Sequence, residues 1–88
     1  MPPELFNSTR NIMPFNTELT SELNVLMQFN LLNEQDGIKV HHEAPKETIA
    51  AAKRLFSKGL ITQDDGGYLT DLGRKAAEHT QDLKTILK

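Results

Sequence analysis

The sequence predicts a small α+β domain of three helices with a two- or three-stranded antiparallel sheet, and residues 55–73 carry the clearest signals. Gly59 lies where the C-terminal end of a helix needs a residue with positive φ. Asp65 and Gly66 separate two short apolar runs, which indicates a tight turn between two strands, with positive φ at the central residues of the turn. Thr70 is a good N-terminal cap for a following helix. The predicted order is therefore helix, strand, turn, strand, helix.

The first helix is expected to begin at Asn16 or Thr17, either of which can cap it, and to end near Leu32. Its apolar residues cover more of the helix than the roughly 100° stripe of an ordinary surface helix. We expect a second copy of the chain to cover the remainder, which makes the protein a homodimer. The apolar residues are Leu19, Leu23, Val25, Leu26, Met27, Phe29, Leu31 and Leu32. The contact between copies is predicted to include some of Val25, Phe29 and Leu32, and Ile86 and Leu87 are further candidates.

The second helix is predicted from Pro45 to Lys58, because proline fits the first turn of a helix. Before it, residues 38–41 alternate between apolar and polar side chains, which indicates a further strand. The predicted core face consists of Ile49, Ala52, Leu55 and Phe56. The predicted solvent face consists of Lys46, Glu47, Ala50, Lys53, Arg54 and Ser57.

The last helix is predicted from Asp71 to Leu87, with an apolar line along one side. Gly73 in its first turn indicates close packing against a neighbouring segment. The apolar line consists of Leu72, Ala76, Leu83 and Ile86.

The composition predicts one cytoplasmic domain at residues 13–88, preceded by a poorly ordered arm at residues 1–12. The 88 residues include no cysteine, which excludes disulfides and zinc–thiolate sites and suits a reducing compartment. No apolar run approaches the roughly 20 residues of a membrane span, and the N-terminus does not have the layout of a signal peptide.

The excess of positive charge lies on the second helix, although the whole chain has a net charge of −2. Residues 45–58 carry four bases and one acid. The order helix, hairpin, helix resembles that of winged-helix proteins, in which the helix before the hairpin commonly lies in the major groove of DNA. Residues near its N-terminus would face base edges, and Lys53 and Arg54 would reach phosphates. An amphipathic helix with a basic solvated face is the alternative. The predicted DNA-contacting residues are Lys46, Glu47, Ala50, Lys53, Arg54 and Lys58.

Other candidate sites are weaker than this helix. The hairpin turn carries Asp64 and Asp65, which the phosphate backbone would repel, so we expect the hairpin to be structural. His41 and His42 would point to opposite faces of a strand, so we expect no metal site. No catalytic motif is present, and we expect neither enzymatic activity nor a cofactor.

Residues 55–73 resemble the helix–hairpin–helix segment shared by many winged-helix regulators of the multiple-antibiotic-resistance and phenolic-acid-repressor types. From Met13 onwards, the chain resembles a small bacterial family without an established function. Where a complete winged helix has a further helix before the recognition helix, residues 37–44 are predicted as strand and loop. The segments that carry the second resemblance are Leu23–Leu26, Gly37–His42, Lys58–Gln63 and Asp65–Thr70.

Together, the two resemblances imply a winged-helix-like fold and a DNA-binding, transcription-regulatory role. We therefore expect a protein that binds duplex DNA through residues 45–58, beside the hairpin. The alternative is a protein-interaction module that has the same fold and does not bind DNA. The sequence specifies neither a target site nor a partner protein.

Overall fold

A computed structural model describes residues 15–33 and 35–88, which form three helices and one three-stranded antiparallel sheet. The predicted fold class is therefore confirmed. The predicted arm, residues 1–12, lies outside the described residues. The elements in chain order are α1 (Thr17–Leu26), β1 (Ile38–Lys39), α2 (Lys46–Ser57), β2 (Ile61–Gln63), β3 (Gly66–Leu69) and α3 (Asp71–Leu87). The strand order is β1-β3-β2.

Helix α1 begins as predicted and ends earlier than predicted. Asn16 caps it, since its side-chain oxygen accepts a hydrogen bond of 2.8 Å from the backbone N–H of Leu19. The helix ends at Leu26, so the prediction that it continues to Leu32 is wrong. Beyond this end, the side chain of Asn30 accepts a hydrogen bond of 2.9 Å from the backbone N–H of Leu32. Such local bonds compete with the helical pattern and favour a turn.

The core lies between α1, α2, α3 and the sheet. Val25 and Phe29, two of the candidates for a contact between copies, are buried in this core and are not available for that contact. Leu32, Ile86 and Leu87 remain exposed. The buried apolar residues are Val25, Leu26, Phe29, Val40, Ala51, Ala52, Leu55, Ile61 and Ala77.

Helix α2 faces the core with most of the predicted side, since Ala52 and Leu55 are buried and Ile49 packs against the core. Ala51 is fully buried, whereas Phe56, which we predicted in the core, is 46% exposed. The buried residues of the helix are Ala51, Ala52 and Leu55. Helix α1 is the element that packs most extensively on α2. Two adjacent alanines leave room for close packing on this side, so the helix is turned towards Ala51.

The hairpin contains the predicted positive φ angle, but its turn lies one residue earlier than predicted. Gln63 pairs with Gly66, so the turn is formed by Asp64 and Asp65, and the prediction of a turn centred on Asp65 and Gly66 is wrong. Gly66 has φ 127° and Gly67 has φ 75°. The register shifts within the hairpin, which places one extra residue on β3 and makes a β-bulge.

The junction of the hairpin with the helices follows the prediction. Gly59 has φ 81° at the end of α2. The hydroxyl of Thr70 donates a hydrogen bond of 2.7 Å to the carbonyl of Gly59 and accepts one of 3.0 Å from the N–H of Gly73. A Cβ atom on Gly73 would collide with the carbonyl oxygen of Leu60. One side chain thus connects the end of α2 to the start of α3.

Helix α3 has the predicted bounds, but its apolar line does not face the core. Gly73 and Ala77 are its buried residues. Of the predicted line, Ala76 is half-buried and the other residues are exposed, which are Leu72, Leu83 and Ile86.

Candidate functional site

A buried carboxylate on α1 holds two of the cations that we predicted to contact DNA. Glu22 is 4% exposed and lies against α2. Its two oxygens accept hydrogen bonds of 2.6 Å, one from Nε of Arg54 and one from Nζ of Lys58. Arg54 also donates a hydrogen bond of 3.0 Å to the backbone carbonyl of Glu18. We call Glu22, Arg54 and Lys58 the Glu22 cluster.

The pKa of Glu22 reflects competition between burial and these two cations. Burial acts to raise the pKa of the carboxyl, because it disfavours the charged form. The hydrogen bonds from Lys58 and Arg54 and their positive charges outweigh burial, so the pKa lies below its usual value of 4.5. Glu22 is therefore ionised at neutral pH, and the Glu22 cluster has a net charge of one rather than two.

The Glu22 cluster changes the roles of Arg54 and Lys58. We expected Arg54 to be on the solvent face of α2, within reach of phosphates. The structure instead places its guanidinium on Glu22, with the side chain 30% exposed. The Lys58 side chain is 52% exposed, and its ammonium is also on Glu22. Both residues thus anchor α2 to α1.

The other predicted contact residues are exposed and are divided between two grooves. Lys46, Glu47 and Ala50 lie with Arg54 along a shallow groove between α1 and α2. Lys53 lies in a second groove, between α2 and the hairpin. The second groove is lined by Lys39, Val40, His41, His42, Ile49, Lys53, Asp64 and Asp65.

The hairpin turn is acidic and has its own ion pair. Nζ of Lys39 lies 2.8 Å from Oδ2 of Asp65. The hydrogen bond from Lys39 and its charge hold the pKa of Asp65 below its usual value, and the same contact raises the pKa of Lys39. Asp64 is exposed and lines the second groove, as Lys53 does. Lys39 and Asp65 therefore neutralise each other, and Asp64 adds a negative charge to the groove that Lys53 lines.

The surface around α2 is consequently not basic. Lys46 and Lys53 are its exposed cations outside the ion pairs described above. Exposed acids lie on the same helix or in the grooves that flank it, and these are Glu18, Glu47 and Asp64. The four positive charges counted on residues 45–58 overstate the potential that this surface presents.

A second candidate surface lies on α3, where apolar side chains face solvent. Leu72 is 56% exposed, Leu83 44% and Ile86 77%. Ala76 and His79 complete the same side of the helix, because steps of four, three, four and three residues keep side chains on one face. We call Leu72, Ala76, His79, Leu83 and Ile86 the α3 stripe.

Sequence reasoning missed the Glu22 cluster, although one signal pointed to it. Glu22 shares a helix face with Val25 and Leu26, which lie three and four residues further on and are buried. An acid on an apolar helix face needs a buried partner. That signal would have indicated pairing with a cation of another element, but not with which one.

The histidines do not form a metal site in the part of the chain that the structure describes. His41 and His42 are exposed, and Nε2 of His42 lies 3.9 Å from Oε2 of Glu43. Among residues 15–33 and 35–88, no group of three or more histidine or acidic side chains is placed to hold a metal ion. No helix within these ranges is both long enough and apolar enough to cross a membrane.

Over the residues that the structure describes, the chain is a small α+β domain of three helices and a short sheet. It has a polar helix face on α2 and an apolar helix face on α3. The sequence matches the family of unknown function DUF5669 over residues 13–88, so the chain belongs to that family. No curated protein and no solved structure matches the chain.

Proposed function

We propose that this domain acts as a protein-interaction module, with the α3 stripe as its binding surface. The observation that carries the proposal is the exposure of Leu72, Leu83 and Ile86 on one side of α3. Contiguous apolar surface rimmed by polar residues is typical of sites where proteins bind one another. Lys75 and Asp82 are exposed polar neighbours of this kind.

The charges around α2 also support the proposal, because they disfavour the binding of DNA. DNA binding draws most of its affinity from cations that replace the counterions of phosphates. Arg54 and Lys58 are engaged by Glu22, and Lys39 is engaged by Asp65. A surface with this balance of charge is poorly suited to a polyanion.

Binding of duplex DNA through α2 is the second candidate function. It is favoured by the position of α2 directly before the hairpin and by the exposure of Lys46 and Lys53. In winged-helix proteins, a helix in this position enters the major groove. One observation counts against DNA binding: residues 42–44 form a turn where a complete winged helix has a further helix.

A titration of a fluorescent DNA duplex at about 50 mM salt, where phosphate contacts are strong, tests the choice. We expect no saturable change in anisotropy for the wild-type chain. The double variant Lys46→Glu and Lys53→Glu should behave in the same way. Binding by the wild type that is lost in this variant would establish the DNA function and overturn the proposal. The matched control is Lys84→Glu with Lys88→Glu, which makes the same change of charge at the end of α3.

A further inference from the structure

The last two turns of α3 carry apolar side chains outside the core. Gln81 donates a long hydrogen bond of 3.4 Å to the carbonyl of Phe29, and all residues from 82 to 88 are exposed. Leu83, Ile86 and Leu87 lie in this segment. Helices gain most of their stability from packing of an apolar face, so a partner is expected to cover these residues.

We propose that the partner is a second copy of this chain and that the two α3 helices pack antiparallel through the α3 stripe. The inference rests on the proposed function and names the occupant of its surface. The alternating steps of four and three residues are the spacing with which one helix packs along another. A symmetric pair uses the same patch on both copies, and one helix face is sufficient for both.

The sizes of the side chains in the stripe suit one antiparallel register. In that register, Leu72 packs on the partner's Leu83, and the symmetry repeats the contact at the other end. Between these two layers, Ala76 packs on the partner's His79. A small residue opposite a large one fills the layer without crowding.

Charge complementarity selects the antiparallel direction. Lys75 and Asp82 are exposed and flank the same edge of the stripe, seven residues apart. Antiparallel packing in the same register places Lys75 close to the partner's Asp82, and does so twice in the dimer. Parallel packing would instead bring Lys75 near the partner's Thr80, and Asp82 near the partner's Leu87. The pattern of charges therefore favours the antiparallel pair.

Sedimentation of the full chain at tens of micromolar tests the dimer. We expect twice the mass of the 9.9 kDa chain. Leu83→Glu should give a monomer with unchanged circular dichroism, because this side chain packs in the proposed contact and is not in the core. Leu32→Glu is the control, since Leu32 is 97% exposed and lies outside the stripe. A folded wild-type monomer, or a dimer that persists in Leu83→Glu, would overturn the inference.

Reversal of the flanking charges tests the direction. Lys75→Asp and Asp82→Lys should each weaken the dimer by about tenfold, because each creates two like-charge contacts. The chain with both changes should recover the wild-type dissociation constant. Failure to recover would overturn the antiparallel register.

The outcomes separate this inference from the proposed function. If the chain is a dimer through α3 and also binds DNA through Lys46 and Lys53, the dimer stands and the proposed function fails. If the chain is a folded monomer that does not bind DNA, the second copy is excluded as the occupant. The proposed function then requires a different protein on the α3 stripe.

Discussion

At the scale of single residues, the placement of Glu22 determines what α2 can do. A carboxylate removed from water is costly unless cations and hydrogen bonds compensate it. Arg54 and Lys58 provide this compensation with bonds of 2.6 Å to its two oxygens. These bonds hold the Nε atom of Arg54 and the Nζ atom of Lys58 against α1. Their main contribution is therefore to the stability of the α1–α2 contact.

Arg54 and Lys53 are adjacent in sequence and are expected to differ in their effect on stability. Arg54→Ala leaves Glu22 with one cation and should lower the free energy of unfolding by about 1–2 kcal/mol. Lys53→Ala removes an exposed side chain and should change it by less than about 0.5 kcal/mol. Urea denaturation of the two variants measures the difference. If Arg54→Ala lowered the free energy of unfolding as little as Lys53→Ala, the Glu22 cluster would contribute little to the stability of the fold.

The Glu22 cluster also shows why the candidate site was only partly predictable from the sequence. The count of charges on residues 45–58 is correct, but it does not contain the position of an acid on another helix. Glu22 and Arg54 are 32 residues apart in the chain. Their contact depends on how α1 and α2 pack, which local patterns do not determine. The exposure of Lys46 and Lys53 was predictable, because it follows from helical periodicity alone.

At the scale of elements, the junction of α2, the hairpin and α3 is defined by short-range signals. Gly59, Thr70 and Gly73 each perform the role that their local sequence indicates. Helix caps and turns depend on a few neighbouring residues, so this part of the fold could be predicted. The burial of Ala51 instead of Phe56 depends on the packing of α2 against other segments, and the predictions of Phe56 in the core and of the end of α1 were wrong.

Two glycine substitutions at this junction are expected to differ in cost. In Gly73→Ala, the gain in helix propensity is about 1 kcal/mol, but the new Cβ meets the backbone oxygen of Leu60, which cannot move aside easily. We expect a net loss of about 2 kcal/mol, or a thermal midpoint lower by about 10 °C.

Gly59→Ala is the comparison for this substitution. At Gly59 a Cβ would meet no atom within 4 Å, so only the φ of 81° opposes a side chain. We expect a loss of about 1 kcal/mol and a fall of about 5 °C in the thermal midpoint. Calorimetry of both variants gives the ranking. A larger loss for Gly59→Ala would contradict the close approach of α3 to Leu60.

At the scale of the whole molecule, the charged surface and the exposed apolar surface lie on different helices. The surface around α2 is polar, with its cations largely engaged by acids, whereas α3 exposes Leu72, Leu83 and Ile86. We expected the dimer contact mainly on the first helix, but that helix ends at Leu26. Val25 and Phe29 pack in the core of a single chain, and the exposed apolar side chains described above are on α3 instead.

The proposed dimer predicts that thermal stability depends on protein concentration. When two copies dissociate as they unfold, dilution favours the unfolded state by mass action. For two chains of 88 residues, the entropy of unfolding gives a rise of about 4 °C in the thermal midpoint for each tenfold increase in concentration. Leu83→Glu should abolish this dependence, whereas Leu32→Glu should retain it. Circular dichroism melts across a hundredfold range of concentration measure the slope, and a wild-type midpoint that does not change with concentration would contradict a dimer coupled to folding.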